Sequence, residues 1–339
     1  MGASHRTSTT WRHHHEAHPC RRRSQRSIAG LPASDATAAE VRVGGAKGSW
    51  QGVAGMTDLR TDRSAKQGAR FRVGSVTKVF TVAVVLQLVA EGEISLDDTV
   101  QRHLPGLLPG SFPPVEIGQL LNHTSGLPSP KIGDSFEWVY ATRFKKWTPR
   151  EYVGEAVRNP MEFAPGTQQH YVNMNTFVAG LLIEKVTGRS YEHEVTTRIL
   201  NPLGMRNSYL PGDSIRIRGR HNHGYQVVPK GFQNAIEYGR RYVVDMTVNS
   251  SSSTWASGDL ISTTADLETF IKALFGGKVV RRRSLCTCSR CRRCPRTAPA
   301  IPPCTPRACP GWSCPVASWP TARPAPGTAA QPASAPPAT

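Results

Sequence analysis

Apolar and polar residues alternate in VRVGG (41–45) and WQGVAGM (50–56), a period of two that predicts short strands joined by a glycine-rich turn. From Ser75 to Gly92 the pattern changes. The segment SVTKVFTVAVVLQLVAEG carries apolar residues on every face, which predicts a helix buried in the middle of a domain and capped by Gly92. PPVEIGQLLNHTSGL (113–127) reads as a short helix running into a turn. TFVAGLLIEKVTG (176–188), YEHEVTTRIL (191–200) and TTADLETFIKALFGG (263–277) predict three more helices, the last with Thr264 or Asp266 near its start. Strands first and then a block of helices predict a mixed fold, a helical region beside a sheet.

Charge divides the chain into three. Of the formal +18, residues 1–34 carry +5 and residues 281–339 carry +9, leaving +4 on residues 35–280, an ordinary balance for a globular domain. The cysteines divide likewise: Cys20 lies in the head, seven lie between Cys286 and Cys314, and the middle has none. A cysteine-free middle excludes a disulfide scaffold or a thiolate metal site there. The chain has no run of about 18 uncharged apolar residues, so no transmembrane segment is expected. The basic start lacks a following apolar stretch and does not read as a secretory signal peptide.

The head has few aliphatic residues and predicts a disordered segment, because it cannot bury enough apolar surface to offset the entropy of ordering. His13, His14 and His15 could bind a metal, but such a run is more often adventitious. The tail, residues 281–339, is rich in Pro, Ala, Arg and Cys and has no Lys, Asp, Glu, Phe or Tyr. Proline at that density blocks helices and central strands, so no packed fold is expected. Its composition is also what a GC-rich gene yields when read out of frame.

Two motifs carry candidate chemistry. Ser75-Val76-Thr77-Lys78 opens the buried helix and puts a lysine one turn after a serine, on the same face. A serine hydroxyl is a weak nucleophile until a base takes its proton, and apolar surroundings favour the neutral amine that could do so. The helix start adds N–H groups and a positive dipole end where an oxyanion would form. A lone Ser-x-x-Lys also arises as a capping serine with a surface lysine. Here it is the only such spacing in the chain, and a lysine in the first turn opposes the helix dipole. Tyr171-Val172-Asn173 is the second motif: a phenol near an ammonium can shuttle a proton, and an amide can hold a substrate carbonyl. Alone it reads equally as a tyrosine packed on a loop.

Together these motifs, with FRVGSVTKVF, LLNHTSGL, FAPGTQQHYVNMN and NPLGM, resemble the serine D-alanyl-D-alanine carboxypeptidase and class C β-lactamase family, nearest its actinobacterial carboxypeptidases. The likeness covers residues 35–280. It implies a β-lactamase/transpeptidase-like α+β fold, a helical subdomain packed on an antiparallel sheet. By the same resemblance Ser75 is the acylated nucleophile, Lys78 its proton acceptor, Tyr171 the proton shuttle and Asn173 a substrate-amide contact, while Trp255 lies near the cleft. No metal or organic cofactor is implied. The expected substrate is a peptidoglycan peptide, a β-lactam or a small ester, handled by a monomer outside the cytoplasmic membrane.

One departure matters. The family's third motif, His-Thr-Gly or Lys-Thr-Gly on a late strand, is absent, and the C-terminal sheet strands are missing with it. His123-Thr124-Ser125-Gly126 is one residue too long and precedes Tyr171; Lys185-Val186-Thr187-Gly188 ends a helix; HNHG at 221–224 falls in a loop. Losing one oxyanion donor costs about 3–4 kcal/mol of transition-state stabilisation. The expectation is therefore a weak or inactive enzyme with an exposed sheet. An inactive domain with a polyanion-binding basic tail is the competing reading from another class. Zinc on Cys286, Cys288, Cys291 and Cys294 is disfavoured, because C-x-C-x2-C-x2-C is too cramped for a two-knuckle site.

Overall fold

Small and β-branched residues fold residues 38–58 into a hairpin, β1 (Ala38–Gly45) and β2 (Gly48–Asp58), paired antiparallel from Ala38 with Gly55 to Gly45 with Gly48. The structure, a computed structural model, describes residues 19–280 apart from 34–35, 46–47, 62 and 134. The His13–His15 run, the four-cysteine zinc reading and the basic tail lie outside the described residues. Before the hairpin comes helix α1 (Pro19–Ile28), whose last residue, Ile28, is buried over Gly52 of β2. This corrects the reading of the whole head as unstructured. Averaging over 34 residues hid one isoleucine that finds apolar cover on the hairpin.

Two short strands, β3 (Arg63–Ser64) and β4 (Phe71–Arg72), lead into a 3₁₀ turn at Gly74–Val76 and then α2 (Thr77–Glu91). The helical region continues with α3 (Val100–His103), α4 (Ile117–Leu121), α5 (Phe136–Ala141), α6 (Pro149–Ala156), α7 (Met174–Thr187) and α8 (Tyr191–Val195). A π turn at Thr196–Leu200 follows directly on α8. Strands β5 (Tyr225–Val228), β6 (Ile236–Tyr238) and β7 (Arg241–Asp245) form a second antiparallel sheet with β7 in the middle. Last come α9 (Trp255–Gly258), β8 (Ile261–Ser262) and α10 (Thr264–Phe275).

The expected helix at 75–92 is α2, and Gly92 closes it at φ 83° as predicted. Gly188 does the same for α7 at φ 69°, so Lys185–Gly188 is a helix end. The cap of α10 is Thr263, one residue before the expected position; its hydroxyl accepts the Asp266 N–H at 3.3 Å. The strands at 225–245 went unread, because no long alternating run marks them. Their local core is small: Tyr140 of α5 packs with Val228 and Val244, edged by Phe232.

The main core forms where α2 and α7 cross, with α4, α6 and α8 around them. Phe80 stacks on Phe270 of α10 at 3.8 Å between centroids, and Tyr152 of α6 stacks on Phe177 of α7 at 3.9 Å. Burying each such side chain contributes about 1.5–3 kcal/mol. Helix α9 reaches this core at Gly180, where a Cβ would lie 2.7 Å from the Trp255 ring and 2.8 Å from the Ala256 methyl. Gly74–Glu91 is long and apolar enough to cross a membrane, but half of it is buried in the fold, as befits a core helix.

On the sheet side, β1 bonds β2 alone among the described residues, and β3 adds two residues to the other edge of β2. Helix α10 packs on β1, where Glu268 meets Arg42 and Lys272. Beside β1 lies a 340 Å³ cavity lined by Glu40, Phe71, Arg72, Ile217, His223 and Met246, among others.

Candidate active site

The start of α2 is held by the segment that follows α9. Strand β4 pairs with β8, Phe71 with Ser262 and Arg72 with Ile261. The Val73 N–H donates to Leu260 O at 3.0 Å, and the Leu260 N–H donates to Thr77 Oγ1 at 3.2 Å. Thr77 Oγ1 donates in turn to Gly74 O at 2.7 Å. Ser75 thus sits in a turn clamped from both sides, at the positive end of a 15-residue helix.

Lys78 is one turn on and only 6 % exposed. Its Nζ uses three hydrogen bonds, to Ser75 Oγ at 3.2 Å, Asn173 Oδ1 at 2.8 Å and Ser257 O of α9 at 2.9 Å. Those are all the donors an ammonium has. Burial pulls Lys78 down to about 8 from the usual lysine range, since desolvation penalises the charged form. A measurable neutral fraction at neutral pH follows.

Asn173 stands at the start of α7, with its carbonyl accepting from Thr176 Oγ1 at 3.0 Å. Burial pushes the Tyr152 phenol up, and a hydrogen bond from Asn173 partly offsets this. The Tyr171 ring centroid lies 4.8 Å from Lys78 Nζ, a cation–π contact, and the residue is 51 % exposed. Three of the four expected residues, Ser75, Tyr171 and Asn173, therefore converge on the amine of the fourth, Lys78.

Trp255 does not join them. It is 6 % exposed, packs on Phe177 and Tyr191, and donates its indole N–H to Glu192 at 2.9 Å. The expectation of a cleft residue is corrected: Trp255 fills the gap that Gly180 leaves between α7 and α9. The site contribution of α9 is instead the Ser257 carbonyl, invisible to any side-chain motif.

In the sequence His123 belongs to the family-like stretch LLNHTSGL and to a mis-spaced third motif, and the structure brings it to the site. Its ring centroid is 4.6 Å from that of Tyr171. Its Nδ1 accepts from Asn175 Nδ2 at 3.0 Å, and its backbone sits at φ 61°. For a non-glycine residue that conformation costs on the order of 1 kcal/mol. HNHG is elsewhere: His223 pairs with Asp245 at 2.7 Å and lines the sheet-side cavity.

These elements define a class, the β-lactamase/transpeptidase-like fold. A profile described as Beta-lactamase matches residues 25–293, and the chain belongs to that family. Among curated proteins the chain is similar to esterase EstB of Burkholderia gladioli, 33 % identical over 54 % of this chain and 49 % of that protein. It is also similar to protein flp of Staphylococcus aureus strain MW2, 28 % identical over 64 % of this chain and 41 % of that protein. The chain spans less than half the length of both. Among solved structures, a D-stereospecific amidohydrolase from Streptomyces sp. superposes with a TM-score of 0.67 at 32 % identity, covering 77 % of this chain and 74 % of that one. D-amino acid amidase from Ochrobactrum anthropi SV3 superposes with a TM-score of 0.62 at 25 % identity, covering 73 % and 68 %.

Proposed function

We propose that the chain is a serine acyl hydrolase that works through an acyl-enzyme on Ser75, with small esters and amino-acid amides as its substrate class. The observation that carries this is the Lys78 amine, lowered to about 8 and 3.2 Å from Ser75 Oγ. In its neutral form Lys78 Nζ takes the Ser75 proton as Oγ bonds to the substrate carbonyl carbon. The positive end of α2 favours the oxyanion. Tyr171 gives a proton to the departing alkoxide or amine, and Asn173 offers an amide to the substrate carbonyl. Water then attacks the ester carbonyl on Ser75 and gives a proton to the Tyr171 phenolate, while the Lys78 ammonium returns its proton to Oγ and the acid leaves.

The similarity to an esterase and to D-specific amidases supports this class. A neutral ester or amide also makes no demand on the carboxylate-binding role of the third motif, although the oxyanion donor that the motif supplies in the family is lost for every substrate. D-alanyl-D-alanine carboxypeptidase and β-lactamase activities share Ser75, Lys78 and Tyr171 and form the second reading. The test is a fluorophosphonate probe seen on a gel, with a panel of a p-nitrophenyl ester, a D-amino-acid amide, a D-Ala-D-Ala peptide and a cephalosporin. We expect labelling and ester turnover that vanish in Ser75→Ala. Labelling that persists in that variant would place the nucleophile elsewhere.

A further inference from the structure

The mechanism above leaves His123 unused, although the fold holds it in an unfavourable backbone conformation beside the tyrosine that the mechanism needs. Its imidazole is oriented by a relay. Ser125 Oγ donates to Asn175 Oδ1 at 2.5 Å, which turns Asn175 Nδ2 toward His123 Nδ1 at 3.0 Å; the Val172 N–H approaches the same nitrogen at 3.5 Å. Nδ1 is thereby an acceptor, and the network assigns the ring proton to Nε2. The His123 carbonyl accepts the His170 N–H at 2.9 Å, tying the turn after α4 to the strand-like run that carries Tyr171. Asn175 belongs to the first turn of α7, so the same relay links the ring to the helix that presents Asn173.

Tyr171 is half-exposed, and its ring lies against the His123 ring at 4.6 Å between centroids and the Lys78 ammonium at 4.8 Å. We propose that His123 is a positioning residue that holds the Tyr171 ring against Lys78, so that the phenol is placed for proton transfer. This rests on the reading of Tyr171 as proton donor. Burial first, and then the fields of Lys78 and His170, pull His123 down to about 4, so the ring stays neutral.

The test replaces His123 by asparagine, which tolerates positive φ and can take the Asn175 hydrogen bond through Oδ1 but has no ring. In the full chain carrying 3-fluorotyrosine at position 171, the fluorine resonance should shift and broaden in His123→Asn. An unchanged resonance overturns the proposal. Kinetically, His123→Asn should lower kcat on a p-nitrophenyl ester about tenfold with KM nearly unchanged, as expected for a displaced catalytic group. In a Tyr171→Phe background the same substitution should cost nothing. An equal fractional loss in both backgrounds, or an unchanged kcat, also overturns it. Circular dichroism sets a temperature at which all four variants are folded. If the parent chain turns over no ester, the ester reading fails by itself, and the fluorine resonance still decides whether His123 holds Tyr171.

Discussion

At Ser75 the groups that hold the nucleophile are partnered, whereas Asp259, at the end of α9, has one buried carboxylate oxygen without a partner. Thr77 bonds Gly74 and Leu260, Lys78 has its three acceptors, Thr81 bonds Ala256 O at 2.7 Å and the Tyr191 hydroxyl at 2.8 Å, and Ser125 and Asn175 bond each other. Beside β1, Glu40 Oε2 and Arg72 Nε and Nη1 are buried without partners, next to a 340 Å³ cavity. An unpaired buried polar atom costs about 1–3 kcal/mol. The Ser75–Lys78 pair is thus closed in by hydrogen bonds, and unspent hydrogen-bonding capacity lies beside β1 and, on the helical side, at Ser251 and Asp259 around α9.

That contrast can be broken at several points. The largest effect is expected at the amine itself: Lys78→Met should lower kcat/KM for ester hydrolysis by about 10²–10⁴, the range for loss of a general base. Loss of less than threefold would remove Lys78 from the chemistry. Next is packing. Gly180→Ala drives a methyl into the Trp255 ring and Ala256 and should destabilise by about 1–3 kcal/mol in urea unfolding. Gly44→Ala on β1 would meet only the ends of two flexible side chains, Glu268 and Lys272, which can shift, and should cost under about 0.5 kcal/mol. Equal costs at the two glycines would mean that the halves are equally tight.

The pH dependence has a definite sign. Lys78 is depressed to about 8, so the base form grows and kcat/KM should rise as pH passes through about 8. Stability should rise over the same range. Between about 8 and the ordinary lysine value the unfolded chain binds the proton that the folded chain has shed. A flat rate profile from pH 7 to 9 would contradict this. The smallest effect is expected at Glu40, whose Oε1 accepts from Gln51 at 2.7 Å, Gly68 at 2.9 Å and Thr264 at 3.0 Å. Glu40→Gln keeps an oxygen there and turns the unpaired position into an N–H. A change in unfolding free energy within about 0.5 kcal/mol is expected.

Much of the helical half was legible in the chain. The all-round apolar run of α2 and the Gly92 cap mark a buried helix, and Ser75, Lys78, Tyr171 and Asn173 carry their chemistry in their spacing. What the chain concealed has physical causes. Ser257 acts through a backbone carbonyl, which any residue has. His123 reaches Tyr171 only because a left-handed turn and the Asn175 amide aim it there. Trp255 was misplaced because a tryptophan between serines looks the same in a cleft or in a core.

By itself the sequence determined the helices α2, α4, α7, α8 and α10 and which side chains could carry acyl transfer, because those properties follow from local pattern and residue type. Tertiary structure alone decided that Lys78 is desolvated and triply bonded, and that a histidine stands against the tyrosine. A pKa and a ring contact depend on residues that are about 50–180 positions apart in the chain and meet only when α2, α7 and α9 pack together.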